Sequence, residues 1–510
     1  MNLEIIMNCL QSLLRKGGFC GTIVRKRSFI GIFLLERKFT MRKLRSTALA
    51  LVAVMLFAAM VSCAQTPLPR PIPVAPAEPL SPAPEIPYDT TDYEKKLDNA
   101  FAEAVEVSAA DLDYEIVDGK ATVKGYKGSE KAIAIPEMLE NAPVTKIAGN
   151  AFADNTTLEV LVLPGTVEAV GASILKGCTA LRALKTPLLG ENAEKNSHLG
   201  YLFGASTYMD NARDVPPSLK LLEIDGAFAA IPDFALFDCN DLVAVRLSKS
   251  ITALGKYSFY GCFSLKYLTI EHLEKIDAHA MDSCTAFVSL EFSASLTEIG
   301  LGAFQNCTDL RSITLPFVGG SKTANTYLGY IFGAEYPDFA KGYYPGRLQE
   351  VHLLAGCTAL GDYAFFECET LRKVTIPEGV TAIGVRAFDD CDALSVLALP
   401  ASLESIRENA FMDCDYLTTV TFAGENLKTI GVNAFYGCLS LAEIALPDSL
   451  TALPGSCFAD CVSLKKVTMN GVSAVGVNAF HNCVALEEVV ASSSVKYEKG
   501  NDAATRLNEE

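Results

Sequence analysis

One pattern of apolar and polar positions recurs along most of this 510-residue chain. In the copy that spans residues 371–391, Val374 and Ile376 are apolar. The residues beside them, Lys373 and Thr375, are polar. This period of two predicts a short strand with one buried face.

The rest of each copy predicts two corners and a turn. Pro377 ends the strand because proline cannot donate to the strand ladder, and Gly384 gives the backbone freedom at the next corner. The segment Ala387-Phe388-x-x-Cys391 then predicts a short helical or 3₁₀ turn with its ring and thiol pointing inward. One unit therefore holds one strand and one turn.

Cysteines mark the period of the pattern. Steps between equivalent cysteines are 22 to 24 residues, except for two steps of 61, and Asn155 occupies the same place one unit before the first cysteine. The equivalent cysteines are Cys178, Cys239, Cys262, Cys284, Cys307, Cys368, Cys391, Cys414, Cys438, Cys461 and Cys483. Twelve units at a period of about 23 residues predict a β-rich repeat solenoid over residues 147–490, in which each repeat contacts its neighbours.

Each step of 61 adds a 38-residue insertion, near residues 189–218 and 317–347. The phrase LGYLFGA begins at Leu199 and its counterpart LGYIFGA begins at Leu328, 129 residues later. Cys178 and Cys307 have the same separation, so a block that holds one insertion and three short steps was duplicated. We expect Leu199 and Leu328 to pack back onto the solenoid.

The flanks of the solenoid have other roles. Strand patterns at residues 121–126, 132–136 and 143–147 predict that residues 91–146 cap its first repeat, where an apolar face and strand edges would otherwise be exposed. Residues 491–510 form a C-terminal tail.

The first ninety residues are typical of an exported chain. Residues 1–40 show no repeat and are interpreted as an upstream extension before Met41. Residues 41–63 have a basic start, an apolar run and a small residue before Cys63, as in a lipoprotein signal peptide with Cys63 as the lipid anchor; the alternative is a plain secretory signal. The nine prolines of residues 64–87 make residues 64–90 an extended spacer.

The phrase I-G-x-x-A-F-x-x-C-x-x-L-x-x-V-x-L-P at a period of 23 resembles the BspA-type leucine-rich repeat of bacterial surface proteins, over residues 114–490. The resemblance implies an exposed surface protein, often an adhesin for host matrix proteins or other bacteria, and it does not imply an enzyme. Together with the lipoprotein-like signal and Cys63, it predicts an exported chain that is lipid-anchored at the bacterial cell surface or outer membrane.

Candidate chemistry is sparse. The cysteines recur at one place per unit, which predicts a buried ladder of thiols, and they show no zinc-ligand spacing. The five histidines fall at different repeat positions and form no catalytic or metal motif. We therefore predict no enzyme activity, cofactor or metal site, and the net charge of −17 argues against a nucleic-acid partner.

Two surfaces are candidates for a partner. The outward strand positions are rich in Thr and Ser and include Tyr267, Lys373 and Lys466; a plain solvated sheet face is the alternative interpretation. The insertions supply tyrosines, which are enriched at recognition surfaces. The candidate insertion contacts are Tyr208, Tyr336, Tyr343 and Tyr344. The partner predicted is a protein on a host or neighbouring cell, and the alternative is a glycan held by insertion tyrosines.

Overall fold

The computed structural model describes residues 91–192, 194–226 and 228–509, in which short strands stack into a solenoid. The predicted extension, signal peptide, anchor at Cys63 and spacer lie outside these residues. In chain order the strands are β1 (Val105–Glu106), β2 (Leu112–Val117), β3 (Lys120–Tyr126), β4 (Ala132–Ala134), β5 (Met138–Leu139), β6 (Ala142–Ile147), β7 (Val160–Val162), β8 (Ala169–Val170), β9 (Ala183–Thr186), β10 (Leu221–Ile224), β11 (Ala230–Ile231), β12 (Ala244–Leu247), β13 (Ala253–Leu254), β14 (Tyr267–Leu268), β15 (Lys275–Ile276), β16 (Ser289–Glu291), β17 (Glu298–Ile299), β18 (Ser312–Leu315), β19 (Glu350–Leu353), β20 (Ala359–Leu360), β21 (Lys373–Thr375), β22 (Ala382–Ile383), β23 (Val396–Leu399), β24 (Ser405–Ile406), β25 (Thr419–Phe422), β26 (Thr429–Ile430), β27 (Glu443–Ala445), β28 (Ala452–Leu453), β29 (Lys466–Thr468), β30 (Ala474–Val475), β31 (Glu488–Val490) and β32 (Lys496–Tyr497).

Within the described residues, helical segments are few and short. The α-helices are α1 (Thr91–Ala102), α2 (Gly200–Phe203), α3 (Asn211–Asp214) and α4 (Asp502–Glu509). The 3₁₀ helices are η1 (Ala109–Asp111), η2 (Tyr208–Asp210), η3 (Leu328–Phe332) and η4 (Pro337–Gly342). Except for α1, η1 and α4, these helices lie in the two insertions.

The predicted repeat solenoid is confirmed, and its strands form two parallel columns. The first column runs β1-β4-β7-β9-β10-β12-β14, then β16-β18-β19-β21, β23-β25 and β27-β29-β31. The second column consists of two-residue strands, ordered β11-β13-β15-β17, β20-β22-β24-β26 and β28-β30-β32. Each regular repeat thus contributes a second short strand besides the one predicted from the sequence.

The turn that carries the phenylalanine and the cysteine is a run of tight turns rather than the helix or 3₁₀ helix expected. Two left-handed residues four apart cause this: Asn433 has φ 55° and Gly437 has φ 73° in the same unit. Between them the Phe435 N–H donates to the Cys457 carbonyl of the next unit at 2.9 Å. Asn, Asp and Gly tolerate left-handed backbone, which explains why they recur at the second of these places, as at Asp390, Asp413 and Asp460.

The core is a ladder of thiols beside a stack of rings. Cys391 is buried, and its Sγ–H donates to the Phe365 carbonyl of the preceding unit at 3.1 Å. The same bond recurs at Cys414, whose Sγ lies 3.0 Å from the Phe388 oxygen. The Phe365 and Phe388 rings stack at 4.9 Å, and the next pair stacks at 5.2 Å. All thirteen cysteines of the described residues are free and buried, so the predicted packing role is confirmed, with a weak hydrogen bond added.

Each insertion is a complete, enlarged turn of the solenoid. In the first, β10 pairs in parallel with both β9 and β12. In the second, β19 lies in the same way between β18 and β21. Leu199 and Leu328, which open the two related phrases, are fully buried as expected. The insertion loops are therefore held from both sides by regular repeats.

Both ends of the described chain carry extra elements. At the start, β2 and β3 form an antiparallel hairpin whose turn, Asp118-Gly119, has positive φ at both residues, as a type I′ turn requires. At the end, β32 pairs with β30 and the predicted tail continues into α4. Buried Asn501 fixes this end, because its Oδ1 accepts from the Phe480 N–H at 3.0 Å and its Nδ2 donates to the Gly476 carbonyl at 2.9 Å.

Helix α1 lies across the outward face of the first strand column. From the sequence alone, this face was expected to be exposed to solvent. Leu97 and Ala100 of α1 are buried against β7, β9, β10 and β12. The face they cover is apolar, unlike the Thr-rich face of later repeats. Its outward residues are Ala132, Val160, Ala183, Leu221 and Ala244, and this apolar row was the sequence signal for a covering helix.

Helix α1 corrects the prediction that Tyr267 is an exposed contact for a partner. It is 5% exposed, its ring stacks on Tyr93 at 6.0 Å, and its hydroxyl donates to Glu94 Oε1 at 2.9 Å. Arg246 reinforces the contact through Asp98 Oδ1 at 2.6 Å. Tyr267 is therefore a docking residue for α1, and in this structure it offers no surface to another molecule.

Weakening the packing of α1 against the strands is expected to release the helix without unfolding the repeats. Leu97→Ala removes the most buried side chain of α1, a loss of about 2–3 kcal/mol, while each solenoid repeat depends on its own neighbours. Hydrogen exchange should accelerate over residues 91–102 and change little in the last six repeats. Lys95→Ala, at an exposed position of the same helix, is the control. Faster exchange throughout the solenoid would contradict this assignment.

Candidate functional site: the second insertion

The second insertion presents three exposed aromatic side chains on and beside η4. Tyr336 is 62% exposed and Phe339 is 67% exposed. Tyr336 is the residue that precedes η4, and Phe339 lies three residues later within it. Tyr343, 41% exposed, follows at the end of the helix. We call Tyr336, Phe339 and Tyr343 the insertion patch.

The other tyrosines of this insertion are structural. Tyr327 is 7% exposed and its hydroxyl donates to the Ala334 carbonyl at 3.1 Å. Tyr344 packs edge-on against Phe332, with ring centroids 6.3 Å apart, and donates to the Phe366 carbonyl at 3.0 Å. Of the three tyrosines predicted here as contacts, Tyr336 and Tyr343 are exposed. Tyr344 holds the insertion against the next repeat, and only its partly exposed edge reaches a surface.

The duplicated first insertion shows that the architecture does not need the patch. The positions 129 residues before Tyr336, Phe339 and Tyr343 hold Thr207, Asp210 and Asp214. Both blocks close the same kind of solenoid turn. Large exposed rings gain nothing from folding, so their presence in one copy alone points to a role outside the fold.

A cleft of about 310 Å³ opens beside the patch, between the repeat of Cys307 and the end of the second insertion. Phe332, Tyr343 and Tyr344 form its aromatic side, and the chain from Gly342 to Gly346 follows its edge. The lining also includes the polar residues Gln305, Asn306 and Thr308, and no lining residue is charged. Sequence reasoning missed these residues because Gln305 and Thr308 look like ordinary repeat positions.

The remaining predicted contacts lie far apart in the fold. Tyr208 is half-buried, with its ring stacked on Phe234 at 4.3 Å. Lys373 is exposed on β21, 3.9 Å from Glu350, in the part of the sheet face that α1 leaves open. Lys466 on β29 pairs with Glu488 at 2.9 Å. The structure therefore places Tyr336 and Tyr343 at the two ends of η4 with Tyr344 next in the chain, and Tyr208, Lys373 and Lys466 lie outside this group.

A column of aromatic rings on the turn side also escaped the sequence analysis. Tyr208 stacks on Phe234, Phe234 on Tyr257 at 5.3 Å, and Tyr257 on His279 at 4.9 Å. Phe234, Tyr257 and His279 all have positive φ, from 55° to 60°, which is uncommon for such bulky residues. The stacking of identical repeat positions stabilises this conformation, so the column is explained as packing.

Acidic groups gather at the corresponding turn of the later repeats. Oxygens of Asp389, Asp390 and Asp413 lie within 4.8 Å of one another, and Arg386 Nε is 3.2 Å from Asp389 Oδ2. Burial is the main cause that raises the pKa of Asp389 to about 8 and that of Asp413 to about 6. Asp390 and Asp413 occupy left-handed positions, with φ of 58° and 53°, so the backbone favours Asp there independently of any ligand.

Comparison with known proteins identifies the repeat. Six copies of the family described as BspA type leucine rich repeat region match residues 131–198, 216–325, 340–425 and 387–501. Among curated proteins, none matches the sequence.

Solved leucine-rich repeat structures are similar at low identity. A leucine rich cell surface protein from Faecalibacterium prausnitzii is 22% identical, over 76% of this chain and 94% of that one, with a TM-score of 0.26. A leucine-rich repeat protein from Bacteroides ovatus is 17% identical, over 77% and 99%, with a TM-score of 0.30. The pneumococcal vaccine antigen PcpA is 17% identical, over 79% and 96%, with a TM-score of 0.27.

None of the helices in the described part of the chain has the length and apolar character that a membrane span requires.

Proposed function

We propose that this chain, which belongs to the BspA-type leucine-rich repeat family, is a non-enzymatic adhesion protein of the bacterial cell surface that binds a protein on a host or neighbouring cell. Its stacked repeats form a rigid scaffold of a kind suited to protein interaction. The observation that carries the proposal is the insertion patch: rings at Tyr336 and Phe339, with polar residues at the same places of the duplicated block.

The proposal includes export through residues 41–63, lipid attachment at Cys63 and presentation on the proline-rich spacer, all on sequence grounds. Incorporation of a palmitate analogue, compared between the wild type and Cys63→Ser, is the measurement that tests the anchor.

The insertion patch is favoured over the open sheet face for a physical reason. Exposed aromatic side chains bury much area with few rotatable bonds, and they dominate many protein interfaces. The open part of the strand face presents small or charged residues instead, such as Thr419 and Thr421 on β25 and Lys373 on β21. A partner on that face would spread its contacts over several repeats, and single substitutions would each cost little.

Giving the second insertion the residues of the first should abolish most binding and leave the fold intact. The double change Tyr336→Thr and Phe339→Asp is expected to weaken binding to the protein partner at least about tenfold, since truncation of aromatic anchors often costs about 2 kcal/mol. The Tm should stay nearly constant because both side chains are more than 60% exposed. Binding to purified extracellular-matrix proteins and to whole cells, measured by surface plasmon resonance and adhesion assays, checks the first expectation.

Tyr416→Thr is the matched control, because Tyr416 is an exposed aromatic residue of a regular repeat, 41% accessible. It should leave binding unchanged. Full binding by the double variant would move the contact to the open sheet face and would refute the patch. If neither matrix proteins nor cells bind the wild type, the adhesion role fails.

A further inference from the structure

The cleft beside the insertion patch has unused hydrogen-bonding groups. The side chains of Gln305 and Thr308, and the hydroxyl of Tyr343, line the cleft or its rim and make no hydrogen bond with another described part of the chain. Asn306 differs, because its Nδ2 donates to Asp282 Oδ1 at 3.0 Å. The Tyr344 hydroxyl is also engaged, as described above. Amide, hydroxyl and phenol groups thus remain free around one cleft.

The Gln305 side chain and the Tyr343 ring both lie close to Gly333. A Cβ added to Gly333 would lie 2.7 Å from Gln305 Oε1 and 3.2 Å from Tyr343 Cδ1, so the amide and the ring flank the same glycine. Gly333 has a φ of 106°, which other residues rarely adopt. The missing side chain keeps the Gln305 amide and the edge of the Tyr343 ring close together at the cleft.

The lining offers no side chain of opposite charge to a charged ligand. No Lys, Arg, His, Asp or Glu is among the ten residues around the cleft. The first block differs at the equivalent positions, where Lys176, Arg213 and Asp214 replace Gln305, Gly342 and Tyr343. An anionic ligand would find no cation in the cleft, and a chain of net charge −17 would repel it. A cationic ligand would find no carboxylate.

We infer that this cleft binds a neutral saccharide residue, with an apolar C–H face of the sugar ring on Tyr343 and sugar hydroxyls bonded to the Gln305 amide and the Thr308 hydroxyl. A sugar ring combines apolar C–H faces with uncharged donors and acceptors, which is the combination that the lining offers. A volume of about 310 Å³ is at the low end for small-molecule sites and suits one or two sugar rings.

The inference adds a ligand to the proposed function: the protein partner contacts Tyr336 and Phe339, and a saccharide occupies the adjacent cleft. It rests on the second insertion being the contact surface. An apolar peptide side chain is the competing occupant. The free polar groups argue against it, since they would lose water and gain no partner under an apolar side chain. The hydroxyl groups of a saccharide would form hydrogen bonds with these polar groups.

The test uses the full-length protein and a panel of neutral methyl glycosides and short neutral oligosaccharides, observed by saturation-transfer difference NMR and titrated by calorimetry. Small uncharged ligands of this size are expected to bind with Kd of about 1 mM. Tyr343→Ala and Gln305→Ala should each weaken binding of the active saccharide at least about fivefold. Tyr416→Ala should leave it unchanged, and sialic and glucuronic acids should bind more weakly than neutral sugars. The Tm of each variant confirms that it is folded.

Three results would overturn the inference: no saturation by any neutral saccharide, equal binding by Tyr343→Ala and Gln305→Ala, or binding of short apolar peptides in place of sugars. The two experiments distinguish failure of the saccharide inference from failure of the adhesion proposal. If sugars do not bind but Tyr336→Thr with Phe339→Asp still loses its protein partner, the saccharide assignment alone is wrong. If no partner depends on the insertion in either experiment, both are wrong.

Discussion

Cys391→Asp is expected to unfold the later repeats. The Cys391 side chain is fully buried between neighbouring rungs, and its thiol donates to the Phe365 carbonyl at 3.1 Å. A carboxylate there would be buried without a cation and would face that carbonyl oxygen. The loss of stability should be more than about 4 kcal/mol. Chemical denaturation followed by circular dichroism would measure it.

Two substitutions at the same site separate charge from packing. Cys391→Ala should cost only about 1–2 kcal/mol, because it leaves a small cavity and removes one weak hydrogen bond. Cys391→Ser keeps a donor for the Phe365 carbonyl and should differ little from alanine. Burial also raises the pKa of the Cys391 thiol well above its usual range, so native protein should react slowly with thiol reagents. An Asp variant as stable as the Ala variant, or rapid labelling of native Cys391, would contradict the buried ladder.

Stability is expected to fall as the pH rises from 5 to 9, because of the acidic row around Asp389. Burial is the largest cause that raises the pKa of Asp389 to about 8, of Asp392 to about 7 and of Asp413 to about 6. Neighbouring carboxylates add to the effect, and Arg386 opposes it at Asp389 and Asp413. The carboxylates that face these groups are Glu367, Glu369, Asp390, Asp415 and Asp460.

The direction follows from proton binding. The unfolded chain releases these protons near pH 4, whereas the folded chain keeps them until pH 6 to 8. Their contribution to folding is therefore fully present below about pH 4 and is lost as the pH rises through the folded-state pKa values. Melting curves between pH 5 and pH 9 should show Tm falling by roughly 5 °C.

Asp389→Asn should flatten this dependence, since an amide can replace the protonated carboxyl group and still accept from Arg386. Near pH 5 the variant and the wild type should melt at similar temperatures, and at pH 9 the variant should be the more stable. Asp448→Asn changes an exposed carboxylate outside the row and should leave the slope unaltered. A Tm that rises with pH, or an unchanged slope in Asp389→Asn, would show that the row is not buried.

Local patterns in the sequence determined the repeat. Alternation at residues 373–376 predicted β21, and the cysteine spacing predicted both the unit length and the buried thiols. The offset of 129 residues exposed the duplication and the related insertions. These features repeat every 22 to 24 residues, and each repeat packs chiefly on its neighbours, so a pattern visible in one unit specifies its own surroundings.

Features that join distant segments were decided by the tertiary structure alone. Helix α1 covers strands up to 173 residues away through contacts such as Glu94 with Tyr267, which turned a predicted surface residue into a buried one. The hydrogen bond from Tyr344 to the Phe366 carbonyl and the position of the Gln305 amide beside Tyr343 likewise depend on which loops meet.

The same holds for the carboxyl groups of Asp389 and Asp413. Each is an ordinary surface residue type in the sequence, and their raised pKa values arise because the stacked turns bury both and place their oxygens within 4.8 Å of Asp390. The periodicity of the sequence indicates which residues face inward in one unit. Exposure, pairing and ionisation depend on the neighbours that folding supplies, and those neighbours come from other turns of the solenoid and from its ends.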